Sequence, residues 1–134
     1  MKILLDTHMI IWVLTDSPRL PQKARELILQ SDNEIYISVI SLWEIEIKRL
    51  SKPDKIPFTA QIISDYCKDS GYKLIQLREN SIYRLSELLR PENEPVHKDP
   101  FDRMLICQAM SEDMYLLTHD SLIKGYDNSN ILYV

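Results

Sequence analysis

The chain has 134 residues, 45% hydrophobic and 27% charged, with a formal charge of -4. That length suffices for one domain, residues 1-134, with a real core and no need of disulfides or structural zinc. The negative balance argues against a protein that coats nucleic acid, and no apolar run approaches the length of a membrane span.

Lys2 to Asp6 is a short apolar run of strand length, and His8 to Leu14 follows as a helix. Met9 to Leu14 is apolar nearly all round, more than one core-facing stripe requires, so this helix is buried or meets a partner. Pro21 suits the first turn of a second helix through about Gln30. Ser31-Asp32-Asn33 breaks the chain, and Ile35 to Ser38 reads as a second strand. Ser41 to Leu50 is periodic and helical, and Pro53 and Pro57 bound the next loop. A helix from about Thr59 to Asp69 stops at Gly71, one of two glycines.

Lys73 to Leu77 gives a third strand, and Asn80 can cap a helix through Leu89. Arg90 to Lys98 is a polar loop broken by prolines. Asp99-Pro100 opens a helix through about Glu112, Tyr115 to Thr118 is a fourth strand, Ser121 to Tyr126 a turn or short helix, and Ile131 to Val134 a fifth strand. Apolar strands alternating with helices imply an α/β fold with a mostly parallel sheet covered on both faces. In such sheets ligands bind outside the carboxyl ends of the strands.

Four acids draw notice. Asp6 ends the first strand, Glu44 sits in an apolar helix with Ile40 and Ile47 on its face, Asp102 follows Asp99-Pro100-Phe101, and Asp120 follows the fourth strand. Each also has a plain structural reading. Asp6 and Asp120 can cap the helices that follow them, Lys48 can pair with Glu44 at i+4, and Asp99 as N-cap with Pro100 at the first position leaves Asp102 to complete a capping arrangement. Asp102, however, shares a face with Ile106 and Ala109 and so looks toward the core edge. Carboxylates gathered together cannot all stay ionised unless cations join them, and an acid-only donor set selects Mg²⁺ or Mn²⁺.

Removing these four acids from the 20 Asp plus Glu leaves 16, which balance the 16 Lys plus Arg, so the remaining surface is neutral overall. Lys48, Arg49, Lys52 and Lys55 make a modest basic cluster near Glu44, suited to a phosphate backbone or simply to a solvated helix end. Ser38, Ser41 and Thr118 lie near strand ends, where they could orient carboxylates or bind phosphate, although ordinary capping explains them best. His8, His97 and His119 are scattered, which disfavours zinc. Cys67 and Cys107 lack a CxxC spacing and read as reduced, buried thiols. No nucleophile elbow or phosphate-binding glycine loop can be written from Gly71 and Gly125 alone. Without a signal sequence at the start, a cytoplasmic location is expected.

The runs Leu4-Leu5-Asp6-Thr7-His8 with Trp12, Ser38 to Ile45 with Lys48, His97-Lys98-Asp99-Pro100-Phe101-Asp102-Arg103-Met104-Leu105, and Leu117-Thr118-His119-Asp120 resemble the PIN-domain ribonucleases, specifically the VapC toxins of type II toxin-antitoxin systems. The resemblance covers essentially the whole chain. It implies a three-layer αβα sandwich with four to five strands, Mg²⁺- or Mn²⁺-dependent endoribonuclease activity, a homodimer, and inhibition by a VapB-type antitoxin. By matching position it places the family's acidic quartet, catalytic and metal-holding, on Asp6, Glu44, Asp102 and Asp120. Arg103 and Lys48 are candidates for steadying the RNA. Ser51 stands where the family commonly has a glycine, another such glycine falls near Asp113, and Leu122 stands where some members carry a fifth acid.

Two other readings compete. A catalytically inactive binding module would use the same fold, its acids structural and its apolar surface functional. A phosphoacceptor receiver domain has the right size but requires an adjacent acid pair after the first strand and a Lys before the last, both missing here.

Overall fold

The computed structural model describes residues 1–134. Five strands, β1 (Lys2–Leu5), β2 (Glu34–Ser38), β3 (Lys73–Ile75), β4 (Tyr115–Thr118) and β5 (Ile131–Tyr133), form one sheet in the order β3-β2-β1-β4-β5. Every pairing is parallel, with Leu5 opposite Leu117 and Thr118 opposite Tyr133. The chain winds outward from β1 through β2 to β3, then returns to the other side of β1 for β4 and β5. The crevice between the carboxyl ends of β1 and β4 is therefore the topological switch point.

The period-two alternation of strand side chains divides the core into two layers. Ile3, Leu5, Ile35, Ile37 and Leu117 face one side, where they meet Met9 and Ile10 of α1 (Thr7–Leu14), Ala24 of α2 (Gln22–Leu29), Ile45 of α3 (Val39–Ser51), and Ile63 and Cys67 of α4 (Ala60–Asp69). Leu4, Tyr36 and Leu116 face the other, against Leu105, Ile106 and Ala109 of α6 (Pro100–Ser111) and Ile123 of α7 (Ser121–Lys124). The result is the expected αβα sandwich.

Several boundaries differ from the sequence reading. The helix α1 starts at Thr7 with Asp6 at its N-cap, and Pro21 is the N-cap of α2 instead of lying in its first turn. Ser38 ends β2 and at once caps α3 by accepting from Ile40 N at 3.0 Å, so α3 starts two residues before Ser41. The helix expected from Asn80 to Leu89 is shorter: α5 spans Glu79–Tyr83 and tightens into a 3₁₀ turn over Arg84–Glu87. Its cap position is Arg78, not Asn80. The chain must already be extended at Leu88 and Leu89, because Leu88 packs into the α6 layer and the Leu89 carbonyl accepts from Asp127 N.

Other expectations hold in detail. Asp99 caps α6 by accepting from the amides of Phe101 and Asp102, with Pro100 at the first helical position. Gly71 adopts φ +87 after α4, the left-handed conformation that glycine enters without strain. Both cysteines are free and buried, and desolvation pushes each thiol up to about 11, so neither is nucleophilic at neutral pH. No helix is long and apolar enough to cross a membrane.

Candidate functional site

Asp6 lies one residue beyond β1, and its amide donates to the Leu117 carbonyl, extending the sheet ladder. This ties the side chain to the β1–β4 crevice, where it is only 1% exposed. One carboxylate oxygen accepts from Thr7 N at 2.7 Å and the other from the Thr118 hydroxyl at 2.8 Å. Thr118, itself fully buried at the end of β4, also accepts from Asp120 N at 3.0 Å. A single hydroxyl thus sets both acids of the switch point. Asp120 completes its own role as cap of α7 by accepting from Leu122 N.

Glu44 enters from α3 and is 3% exposed. The Thr7 hydroxyl donates to it at 2.8 Å and lies 3.0 Å from the Ser41 hydroxyl, while Lys48 forms an ion pair with it at 2.6 Å. The buried face of α3 holds Ile40, Ser41, Glu44 and Ile45; Ile47, expected on Glu44's face, is exposed. Capping, expected for Ser38, Ser41 and Thr118 alike, describes Ser38. Ser41 sits within the helix and bonds to the Thr7 hydroxyl, and Thr118 donates to the Asp6 carboxylate while accepting from the Asp120 amide.

Asp102 stands in the first turn of α6, where the helix dipole favours a carboxylate. Burial nevertheless dominates, and together with the fields of Asp6, Asp99, Glu44 and Asp120 it pushes the Asp102 carboxyl up to about 8. Desolvation likewise raises Asp6, against the bonds from Thr118 and Thr7. The four acids of the sequence reading therefore do share one electrostatic environment, joined by Asp99. No three carboxylates or imidazoles converge on a single point with these side-chain rotamers. Glu44 and Asp102 are instead engaged by Lys48 and by a residue the sequence reading left unassigned, His97.

His97 Nε2 lies 3.0 Å from Asp102, and its Nδ1 lies 2.9 Å from the Tyr126 hydroxyl. Burial first, and the Arg90 charge second, lower its pKa. The imidazole is thus neutral at pH 7 and acts as a hydrogen-bonding group, not as a countercharge. Its place in the sequence, inside a polar loop, carried no such signal. Only the return of that loop over α6 creates it.

The basic residues divide. Lys48 is held charged by its bond to Glu44 and the fields of Glu44, Asp99 and Asp102, which together outweigh its larger desolvation cost. Arg49 pairs with Glu46, whereas Lys52 and Lys55 make no ion pair. Two of the four cations of this cluster are thereby engaged within their own helix, as the reading of a solvated helix end has it. Arg103 makes no salt bridge and stands beside Tyr126 on the Asp102 turn of α6. A cleft of about 220 Å³ opens over Asp6 and Asp120 and is lined by His8, Trp12, Arg19 and His119 as well.

A doubly wound parallel α/β fold with acids crowded at its switch point is the class these features define. The chain belongs to the PIN domain family, whose model matches residues 3–128. Three solved structures share the fold. A chain of VapBC2 from Rickettsia felis, solved bound to a DNA fragment from its promoter, is 21% identical with a TM-score of 0.68, the match covering 100% of this chain and 98% of that one. A toxin-antitoxin complex from Klebsiella pneumoniae gives 20%, 0.61, and 97% and 95%. VapBC-1 from nontypeable Haemophilus influenzae gives 16%, 0.57, and 90% and 88%. Among curated proteins no sequence matches significantly.

Proposed function

We propose that this PIN domain is a Mg²⁺- or Mn²⁺-dependent endoribonuclease, the toxin of a type II toxin-antitoxin pair. The observation that carries the reading is the accumulation of buried carboxyls at the switch point, strong enough to hold Asp102 near 8. Such a site is poorly satisfied by protein groups alone. Its donors are all oxygens, which suits a hard divalent cation, and Asp6, Glu44, Asp102 and Asp120 are the residues that would hold it. When bound, the cation supplies electrophilic activation at phosphate and compensates the charge that develops during hydrolysis.

The chain's own residues account for the rest. Thr118 and Thr7 hold the Asp6 and Glu44 carboxylates at the crevice, and bringing the quartet onto one cation requires side-chain rotation from the positions seen here. His97 holds Asp102 through one nitrogen while Tyr126 anchors the other. Glu44, with one oxygen bonded to Thr7 and the other to Lys48, is placed either to hold the cation or to take a proton from attacking water. Arg103, free of ion pairs, is the better cation for a phosphate oxygen, since Lys48 is committed to Glu44.

Partner binding is part of the proposal. A groove between α1 and α4, lined by Leu14, Phe58, Ile62, Ile63 and Tyr66, exposes apolar area suited to the amphipathic segment of a VapB-type antitoxin. A second apolar surface, with Trp43, Ile82, Phe101 and Met104, suits a homodimer contact. These same surfaces support the rival reading of an inactive binding module. Mn²⁺-dependent cleavage of single-stranded RNA separates the two: Asp6→Asn and Asp102→Asn should abolish it while circular dichroism stays native. Cleavage that survives both substitutions would refute the nuclease assignment.

A further inference from the structure

The proposed hydrolytic chemistry leaves one feature of the crevice unused. Four aromatic side chains from three separate parts of the chain stand in a row at its mouth. His8 and Trp12 of α1 have ring centroids 6.0 Å apart, Trp12 and His119 lie 6.1 Å apart, and His119 stacks on Tyr133 at 5.8 Å with an interplanar angle of 9°. The parallel pairing of Thr118 with Tyr133 creates the last contact, because it brings the residue after β4 beside the end of β5. His119 is further fixed by donating from Nδ1 to the Val134 carbonyl. Three of these rings, His8, His119 and Tyr133, are exposed, and Trp12 is half-buried with one part against the core.

Cations accompany the row. Arg19 lines the cleft together with His8, Trp12 and His119, and Lys124 Nζ lies 4.7 Å from the Tyr133 ring centroid. Rings serving only as core would be covered, and a plain solvent surface would not gather three of them around a cleft that opens on Asp6 and Asp120, with Tyr133 extending the row. Exposed aromatic faces flanked by positive charge are what single-stranded nucleic acid binds. Each base offers a face to stack, whatever its identity, and the phosphates meet the cations.

We propose that His8, Trp12, His119 and Tyr133 form a stacking platform for the unpaired bases flanking the scissile phosphate of RNA, with Arg19 and Lys124 meeting adjacent phosphates. The proposal rests on the ribonuclease reading and deepens it at the level of base contacts: unpaired bases can leave their neighbours and stack on these rings, whereas paired bases cannot. It also assigns substrate positioning to residues outside the acidic quartet.

The test compares wild type with His119→Leu, Tyr133→Leu and Tyr133→Phe, using a 12-nucleotide single-stranded RNA and its duplex with Mn²⁺. Leucine keeps apolar volume but removes the aromatic face. The leucine variants should raise KM about tenfold, within the ~5–150-fold that loss of one stacked base implies, with kcat changed by less than about threefold. Tyr133→Phe should restore the wild-type KM, and the duplex should be cut at least about tenfold less efficiently. In EDTA, with Trp43→Phe removing the other indole, the single-stranded RNA should quench Trp12 fluorescence. Leucine variants with wild-type KM, a duplex cut equally well, or unquenched Trp12 would each overturn the platform, as would leucine variants that lose binding to a protein partner but not to RNA. Quenching without any cleavage by wild type would uphold the platform while removing the nuclease reading.

Discussion

His97 and Asp102, five residues apart and on different elements, are joined by a 3.0 Å hydrogen bond whose far end is anchored on Tyr126. With His97 neutral and Asp102 near 8, one self-consistent arrangement at pH 7 has protonated Asp102 donating to Nε2 and Nδ1–H donating to Tyr126. Partners of this kind orient a ligating carboxylate, and their loss commonly weakens a metal site by about 10–100-fold. His97→Ala should therefore lower Mn²⁺ affinity by roughly that factor, read by calorimetric titration, with the fold retained. Unchanged affinity would make the pair a structural tether for the loop.

Asp102 also sets a pH dependence. Its carboxyl titrates near 3.8 in an unfolded chain and at about 8 in the fold, so between those values the folded state holds more protons. Stability then falls as pH rises through that window, the opposite of a salt-bridged carboxylate, and Asp6 acts in the same direction. In EDTA the unfolding temperature should drop from pH 5.5 to 8.5, and excess Mn²⁺ should offset the drop. Asp102→Asn, which cannot ionise, should be more stable than wild type at pH 8.5 in EDTA by about 1–2 kcal/mol. Equal stability at both pH values would show that the acids carry no such strain.

Thr118 joins the two acids of the crevice through one buried hydroxyl. Thr118→Val keeps the shape but leaves Asp6 and the Asp120 amide each short of a partner. A cost of about 1–3 kcal/mol in urea unfolding is expected, together with a loss of cleavage larger than any loss of folded protein. Full activity would mean that Asp6 is oriented adequately by Thr7 N alone.

Much of this architecture is legible in the sequence because it depends on local pattern. The apolar runs mark all five strands, and Asp99-Pro100 marks the start of α6. The four acids stand out because each follows or interrupts apolar sequence. What escapes is contact made over long separations. The Tyr126 to His97 bond spans 29 residues, and the stacking of His119 on Tyr133 depends on the β4–β5 register. Ile47 misleads because helical periodicity gives a face but not where that face ends. The extended chain beyond the 3₁₀ turn carries the Leu89 carbonyl that accepts from Asp127 N, a contact no local signal announces.

Asp113 shows a departure from family pattern with a physical consequence. It adopts φ 55, a left-handed conformation, in the turn between α6 and β4 where the family resemblance leads one to expect a glycine nearby. Asp tolerates this region better than most residues but still pays relative to glycine. Asp113→Gly should therefore be neutral or stabilising by up to ~1 kcal/mol, while Gly71→Ala, at φ +87, should destabilise by about 1–2 kcal/mol. Thermal unfolding of the two variants checks both signs.

Titration of Mn²⁺ against the protein, following free Mn²⁺ by electron paramagnetic resonance, bears most directly on the quartet. Saturable binding by wild type at pH 7.5 is expected, lost in Asp6→Asn and Asp102→Asn and weakened in Asp120→Asn. Wild type that binds no Mn²⁺, or variants that bind it as tightly as wild type, would contradict a cation site built from Asp6, Glu44, Asp102 and Asp120.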